Sequence, residues 1–369
     1  MLGGDFLHPI GIYIHVPFCR SKCGYCDFYS LTREDLHTVY VDRVIEEIRD
    51  YRDKGITADT LFIGGGTPSL LSESEIERLI AACRETFFLQ GEITMEANPD
   101  SVSPDYLKAI CKAGVNRISF GAQSGVDREL QALGRRHNAE QIKQAVFWAR
   151  EAGFENLSLD VMLGIPHQTF KSLETTLDFM VRLNPEHLSC YLLKIEEGTA
   201  FYRQHAEKLC VDEDLTAEFY LYTVEMLQKS GYFQYEISNF SKAGCNSQHN
   251  LKYWRCEEYL GFGTAAHSFF NGERFYHTAS LEKYLSSPDF SIISDGKGGG
   301  IEERILLQLR LTEGLNISDL SDMYWRNRLL TRSVKYQKSG LITLHGNHLS
   351  FTPKGFLVSN RILAELLSD

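Results

Sequence analysis

Three cysteines, Cys19, Cys23 and Cys26, follow the first apolar run of the chain with the spacing C-x3-C-x2-C. Thiolates are soft ligands for iron–sulfur clusters and zinc, and a short loop can fix the distances between them. Three ligands leave one iron of a four-iron cubane without a protein partner, and an open metal position can bind a substrate or cofactor. The spacing alone leaves two alternatives open, a zinc site with His15 as fourth ligand and cysteines that only pack.

The composition is that of an ordinary globular protein, and the 369 residues suffice for two or three domains. Lys and Arg number 38 against 49 Asp and Glu, a net charge of −11, so we expect no nucleic-acid partner. No apolar stretch reaches the roughly 18 residues that span a bilayer, and the first five residues lack the basic start of a signal peptide. Nine cysteines, six of them scattered, are typical of a reducing compartment, so we expect a cytoplasmic protein.

Over the first 200 residues, short β-branched runs alternate with longer amphipathic stretches, which predicts parallel βαβ units. Six such units favour an α/β core that forms an open or partial barrel. The predicted strands are Ile12–Val16, Thr60–Ile63, Glu92–Glu96, Arg117–Phe120, Leu157–Met162 and His187–Leu192. The predicted helices between them are Leu36–Tyr51, Glu73–Thr86, Pro104–Ala113, Glu140–Ala152 and Thr169–Leu183.

The residues that could do chemistry stand on or just after these strands. The cysteines follow the first strand, Gly64–Pro68 follow the second, and Glu96 ends the third; Gln123 follows the fourth and Asp160 lies within the fifth. The carboxyl ends of parallel strands share one face, so we expect these features to converge there. Glycine backbone allows close approach of a ligand, and carboxylates and amides suit an amino acid head and ribose hydroxyls.

The cysteine loop with its flanks, Tyr13–Phe28, resembles the radical SAM superfamily, as do Gly64–Pro68, Met95–Pro99, Ser119–Ser124 and Leu133–His137. The branch it resembles contains oxygen-independent coproporphyrinogen III oxidase and the haem chaperone HemW. The resemblance implies a partial (β/α)6 barrel and a [4Fe–4S] cluster on Cys19, Cys23 and Cys26, with S-adenosylmethionine (SAM) on the fourth iron. Reduction of the cluster would release a 5′-deoxyadenosyl radical from SAM. The resemblance also implies that further residues line the cofactor: Tyr13, Tyr25, Gly65, Gly66, Thr67, Glu96, Gln123, Arg135 and Asp160.

Arg135 has a second interpretation from the residues alone, because Arg135 and Arg136 together could be the solvated start of a helix. In the first interpretation, its guanidinium pairs with a carboxylate of the ligand.

Two features separate the relatives within this branch. In the oxidase family a further cysteine stands two residues after the third, and here that position is Phe28. The oxidase also carries a long extension before its first strand, whereas eleven residues precede Ile12 here. Both differences favour a haem chaperone that serves respiratory haem proteins and has haem as its cargo. The alternative is the oxidase, which decarboxylates propionate side chains, so enzymatic activity stays open.

A second motif, Gln248–Trp254, resembles the H-N-x-x-Y-W sequence of HemW-type proteins, which is implicated there in haem binding. An imidazole can ligate iron, and Tyr253 and Trp254 offer apolar faces to a porphyrin. In a helix, His249 and Tyr253 would share one face. The competing interpretation is that His249 is a hydrogen-bonded core residue. Other candidate groups are close in sequence: Cys245, Cys256 and His267.

The sequence pattern changes beyond residue 287. Ser294–Gly300 is predicted to be a glycine-rich linker, followed by helices at Ile301–Leu311, Ile317–Tyr324 and Leu329–Ser339, a hairpin at Leu341–Thr352 and a last helix at Gly355–Leu367. This order resembles a winged-helix-like domain with a lid or docking role, and a peripheral membrane contact stays open. We therefore expect a radical SAM core over residues 1–240, a haem-motif segment closing the barrel over 241–290, and a winged-helix-like domain over 300–369.

Overall fold

The computed structural model describes residues 8–368, so the segment considered for a signal peptide lies outside the described residues. The core is an α/β sheet whose six parallel strands are hydrogen-bonded in sequence order. These strands are β1 (Ile10–Val16), β2 (Ala58–Gly65), β3 (Glu92–Ala97), β4 (Arg117–Gln123), β5 (Asn156–Leu163) and β6 (His187–Leu192). Each predicted strand is found, and the fourth runs three residues further than predicted, to Gln123.

Helices cover the outer face of this sheet because alternate strand residues on that face are apolar. In β4, Ile118 and Phe120 are fully buried beneath helices, whereas Arg117 and Ser119 point into the barrel. The covering helices are α1 (His37–Arg49), α2 (Glu73–Phe87), α3 (Pro104–Ala113), α4 (Asp127–Ala132), α5 (Ala139–Glu151) and α6 (Phe170–Arg182). Four of these helices, α2, α3, α5 and α6, begin with a side-chain cap, as at Ser72, which forms a capping box with Glu75.

The sheet is extended at both edges to twelve strands. Beyond β6 lie α7 (Ala200–Arg203), α8 (Glu213–Lys229), β7 (Phe233–Gln234) and β8 (Asn239–Ser241), and β8 pairs with β6. At the other edge, α9 (Gln248–Trp254) leads to β9 (Tyr259–Phe262), which is parallel to β1. The antiparallel strands β10 (His267–Phe270), β11 (Glu273–His277) and, after α10 (Leu281–Ser286), β12 (Ile292–Lys297) complete this edge.

The prediction of a linker over Ser294–Gly300 was therefore wrong for its first half. Residues up to Lys297 belong to β12, which pairs with β11. All six residues of β12 are exposed, so its polar composition carried no signal that distinguishes an edge strand from a linker.

The C-terminal region has the helix and hairpin order of a winged helix. It comprises α11 (Ile301–Gln308), β13 (Leu315–Asn316), α12 (Met323–Lys338), β14 (Ile342–His345), β15 (His348–Phe351), α13 (Pro353–Leu357) and α14 (Ser359–Leu367). The helix predicted at Ile317–Tyr324 was wrong, because only Ile317–Asp319 form a short 3-10 turn. The next helix starts six residues earlier than predicted, at Met323, where the side chain of Asp322 caps its first turn.

Candidate cofactor site

A cavity of about 420 Å³ opens at the carboxyl ends of the parallel strands. Its size is within the range of small-molecule sites. Strands β2 to β6 and the loop after β1 contribute to it, as the convergence of polar features along the chain predicted. The predicted site residues that line it are Cys19, Cys23, Tyr25, Cys26, Phe28, Gly65, Gly66, Thr67, Glu96, Gln123, Arg135 and Asp160.

The cysteine loop is held in place by contacts from distant parts of the chain. Gly24 packs against the ring of Phe201, which lies 2.4 Å from where a Cβ would stand, and its carbonyl accepts a hydrogen bond from the Phe201 amide. Thr67 Oγ1 lies 3.5 Å from the sulfur of Cys19. The guanidinium of Arg135 lies 3.7 Å from the sulfur of Cys23. The loop therefore presents its thiols to the cavity on a fixed support.

The donor set fits a cluster. The cysteines are free and half-buried, and burial raises the pKa of Cys26 to about 11, with Cys23 and Cys19 adding to the shift. A thiol whose pKa is raised by burial becomes a thiolate when a cationic group binds beside it. Within residues 8–368, no three His, Cys, Asp or Glu side chains surround one point closely enough for a single metal ion. A cubane places its three thiolates on three different irons, so it needs no such convergence.

The zinc alternative with His15 does not fit the structure. His15 is buried, its Nε2 donates to the carbonyl of Tyr29 at 3.0 Å, and its Nδ1 accepts from the hydroxyl of Tyr13 at 3.0 Å. Both ring nitrogens are therefore engaged. Tyr13, expected to line the cofactor, lies one layer deeper in the barrel than the cavity, beside Phe62.

The glycine segment at the carboxyl end of β2, Gly64–Gly66, serves packing as well as the approach of a ligand. A Cβ at Gly64 would lie 2.9 Å from the carboxylate of Glu96, and one at Gly65 would meet the ring of His15 at 2.6 Å. At Gly66 it would lie 2.6 Å from the carbonyl oxygen of Phe18. The glycines thus allow β1, which leads into the cysteine loop, to press against this segment, while Gly65 and Gly66 also face the cavity.

Two carboxylates face each other across the cavity floor. Glu96 accepts a hydrogen bond from the Gly65 amide at 3.0 Å, and Asp160 accepts one from Ser119 at 3.3 Å. Burial, with Asp160 adding, raises the pKa of Glu96 to about 8, and burial also raises the pKa of Asp160. Gln123 adopts a positive φ of 67° at the end of β4, a strained conformation that is common at functional sites.

Arg135 is a half-buried residue of the site and not a solvated helix start. One of its guanidinium nitrogens donates to Asn98 at 2.5 Å and to the carbonyl of Gly121 at 2.6 Å. Asn98 in turn donates to Thr67 at 3.1 Å, so it joins the glycine segment to Arg135. Asn98, two residues after Glu96, is a site residue that the sequence did not predict. Several other residues that line the cavity were not predicted either, among them Met162, Tyr191 and Leu192.

The haem-motif helix α9 lies at the opposite end of the barrel. His249 is fully buried, its Nδ1 lies 2.9 Å from Thr60 Oγ1, and its Nε2 lies 2.7 Å from the hydroxyl of Tyr253. Thr60 and Glu92, which caps this helix, stand near the amino ends of their strands. Burial lowers the pKa of His249 to about 3, so the ring is neutral. The motif is helical, so His249 and Tyr253 share one face, and its histidine has the contacts of a core residue.

The other candidates near the motif are dispersed. Trp254 packs partly buried against Tyr235, Leu251 and Leu311. Cys256 is buried, and Cys245 is half-buried beside the carbonyl of Ala243. His267 is exposed and stacks on Tyr276 with ring centroids 5.1 Å apart. The structure does not bring these side chains together around one point.

Within residues 8–368, no helix combines the length and the hydrophobicity that crossing a bilayer requires.

Two family models match the chain. The Radical SAM superfamily model covers residues 13–180, and the HemN C-terminal domain model covers residues 300–358. The first match carries with it a [4Fe–4S] cluster and SAM as cofactors, which agrees with the site described above.

Among characterised relatives, the chain is 34% identical to the Heme chaperone HemW of Bacillus subtilis (strain 168), over 97% of this chain and 99% of that protein. It is 32% identical to that of Lactococcus lactis, over 98% of each chain, and 39% identical to that of Escherichia coli (strain K12) over 71% of this chain and 70% of that one.

Among solved structures, coproporphyrinogen III oxidase (HemN) from Escherichia coli superimposes with a TM-score of 0.84 at 23% identity, covering 99% of this chain and 91% of that one. This similarity shows a common fold and carries no conclusion about activity. Together with those relatives, the cavity and its three cysteines place the chain in one family. The chain belongs to the HemW family of the radical SAM superfamily.

Proposed function

We propose that this protein is a haem chaperone that binds haem and delivers it to haem proteins. The observation that carries the proposal is the similarity to proteins named Heme chaperone HemW over nearly the whole chain, C-terminal region included. A similarity confined to the barrel would support only the cofactor chemistry shared by many radical SAM proteins.

We assign the cluster to Cys19, Cys23 and Cys26. SAM would be held by the cavity residues, with Tyr25 beside the adenine and Arg135 braced by Asn98 to keep the cluster loop in register. When bound, the cluster supplies an electron to SAM. The chain's own residues orient the cofactor, exclude water and provide the carboxylates of Glu96 and Asp160 for hydrogen-bond donors of the ligand. Tyr13, which does not line the cavity, would contribute indirectly through its hydrogen bond to His15.

Phe28 supports the chaperone over the oxidase. Its side chain is 61% exposed at the rim of the cavity, where the oxidase family carries a cysteine. Leu192, 41% exposed, lines the same cavity. A large exposed aromatic side chain favours contact with an apolar ligand or partner and offers no thiol for oxidase chemistry.

Haem coordination by His249, with Tyr253 and Trp254 against the porphyrin, stays a prediction. In the described conformation the hydroxyl of Tyr253 occupies Nε2 and Thr60 occupies Nδ1. Iron can therefore reach this imidazole only after one hydrogen bond opens and the helix shifts. Haem uptake through His249 thus requires a rearrangement at the amino end of the barrel.

We further propose a cytoplasmic location and respiratory haem proteins as acceptors, reached by a peripheral membrane contact. The nine cysteines are all free, which suits a reducing compartment. The net charge of −11 does not favour a nucleic-acid partner.

The deciding experiment is anaerobic and uses protein with reconstituted cluster, reductant and SAM. One arm supplies coproporphyrinogen III and follows the decarboxylated product; the other supplies haem and then the apo form of a b-type cytochrome, and follows transfer by absorbance. We expect haem transfer and no product. Decarboxylated product formed over many turnovers would refute the chaperone proposal and identify the protein as an oxidase.

The cluster ligands are tested by iron content. We expect Cys23→Ala to hold far less than four irons per chain, because one of three ligands is lost. Cys111→Ala is the matched control, since Cys111 is also free and half-buried but lies on α3, among the helices outside the barrel. Four irons in the Cys23→Ala protein would refute the ligand set.

A further inference from the structure

We infer that His249 is a positioning residue for the SAM end of the barrel, acting through Phe62 on the contact between Gly64 and Glu96. This role holds whether or not the same histidine ligates haem, and it rests on SAM occupying the cavity as proposed above.

The first step is the contact between His249 and Phe62. The two rings stack with centroids 5.4 Å apart and 30° between their planes. Thr60 and Tyr253 fix the imidazole edge on both sides, and a Cβ at Gly11 would lie 3.1 Å from its Cε1. The ring therefore has one place, and that place lies against Phe62.

The second step follows β2 from Phe62 to Gly64. Phe62 and Gly64 are alternate residues of β2 and point to the same side of the sheet. A Cβ at Gly64 would lie 2.7 Å from Cε1 of Phe62 and 2.9 Å from Oε2 of Glu96. The edge of Phe62 and the carboxylate of Glu96 thus both lie directly beside Gly64. Phe62 also lies 6.3 Å from the ring of Tyr13, so it has aromatic neighbours below and beside it.

The third step reaches the cofactor. The same Oε2 of Glu96 accepts from the Gly65 amide at 3.0 Å, and both residues line the cavity. Close packing transmits a displacement of one side chain to its neighbours. Without the imidazole, the ring of Phe62 could move into the vacated space. Glu96 and the glycine segment would then lose the packing contact that holds them in position. A ligand that pulls His249 out would do the same, and haem held by His249 would oppose SAM binding.

The test is the dissociation constant of SAM for cluster-loaded protein, measured by equilibrium dialysis. We expect His249→Ala and Phe62→Leu to weaken SAM binding about tenfold each, the size of one lost packing or hydrogen-bond contact. We expect His249→Gln to stay within about threefold of the parent, because its planar amide can cover Phe62 and pair with Thr60.

His187→Ala is the matched control. His187 is also a buried histidine at the amino end of the barrel, with ring nitrogens 2.8 Å from Ser158 and 2.8 Å from Tyr235, but its ring stands against Tyr235. We expect its melting temperature to fall like that of His249→Ala while SAM affinity stays within about threefold. If His249→Ala does not fold, Phe62→Leu and His249→Gln still decide.

Unchanged SAM affinity in folded Phe62→Leu protein would overturn the positioning role. A loss of affinity that only tracks melting temperature, shared by His187→Ala, would also overturn it. The proposed haem role fails by a separate measurement, namely parental haem affinity in His249→Ala.

Discussion

The amide of Gly65 donates to the Glu96 carboxylate at 3.0 Å, which joins the carboxyl ends of two neighbouring strands at the floor of the cavity. Burial, with Asp160 adding, raises the pKa of Glu96 to about 8. Near neutral pH this side chain therefore carries a proton until a ligand with donor groups or positive charge arrives.

We expect SAM binding at pH 7 to release protons, and the affinity to increase as the pH rises towards about 8, because the ionised carboxylate is the better acceptor. Calorimetric titration in phosphate and Tris buffers, whose ionisation heats differ, measures the release. Glu96→Gln should release fewer protons, since only Asp160 remains. Equal binding heats for the parent in both buffers would contradict the prediction.

Gly66→Ala should loosen the cysteine loop. The new Cβ would lie 2.6 Å from the carbonyl oxygen of Phe18 and 2.8 Å from that of Val16, and neither backbone group can turn aside. We expect a loss of about 1–3 kcal/mol in the free energy of unfolding, as for other overpacked sites, and a lower iron content. Gly300→Ala is the control, because nothing lies within 4 Å of its Cβ position. Parental iron content and stability in Gly66→Ala would argue against the close approach.

The buried pair of His277 and Glu47 predicts a pH-dependent stability. His277 Nε2 lies 2.9 Å from Glu47 and Nδ1 lies 2.9 Å from the carbonyl of Phe290, so both ring nitrogens face acceptors. Burial acts to lower the pKa of His277, but Glu47 outweighs it and the pKa is raised. The stabilisation is then fully present below the unfolded pKa of about 6.5 and is lost as the pH rises through the higher folded value.

The measurement is the melting temperature between about pH 6 and pH 9, a range that brackets the unfolded pKa. The parent should lose more stability across this range than His277→Gln. His205→Gln, a change at an exposed histidine, should follow the parental curve. Parallel curves for the parent and His277→Gln would show that the pair is not charged.

Local patterns were enough to predict the core. Alternation of β-branched runs with amphipathic stretches predicted the six strands and five of the six covering helices, because burial of one face enforces these periods wherever they occur. The short helix α4 was not predicted. The cysteine spacing and the placement of Gly65, Glu96 and Asp160 on or after successive strands predicted one shared site, because parallel strands carry their carboxyl ends to the same side.

Exposed and irregular segments were predicted less well. The strand Ile292–Lys297 was interpreted as a linker because an exposed edge strand needs no apolar face. The helix expected at Ile317–Tyr324 gave way to a short turn and a later cap at Asp322, since apolar periodicity does not determine which of several polar residues caps a helix.

The sequence by itself determined the barrel and the end at which the site lies, because these follow from periodicity and from the order of the residues. The cluster and SAM followed from the resemblance of the motifs to the radical SAM superfamily. Only the tertiary structure decided the environment of each side chain. It joined Arg135 to Asn98 by a hydrogen bond, engaged both nitrogens of His15, and placed His249 at the amino end of the barrel, opposite the cysteines. These contacts join residues far apart in the chain, and distant contacts leave no mark in local spacing.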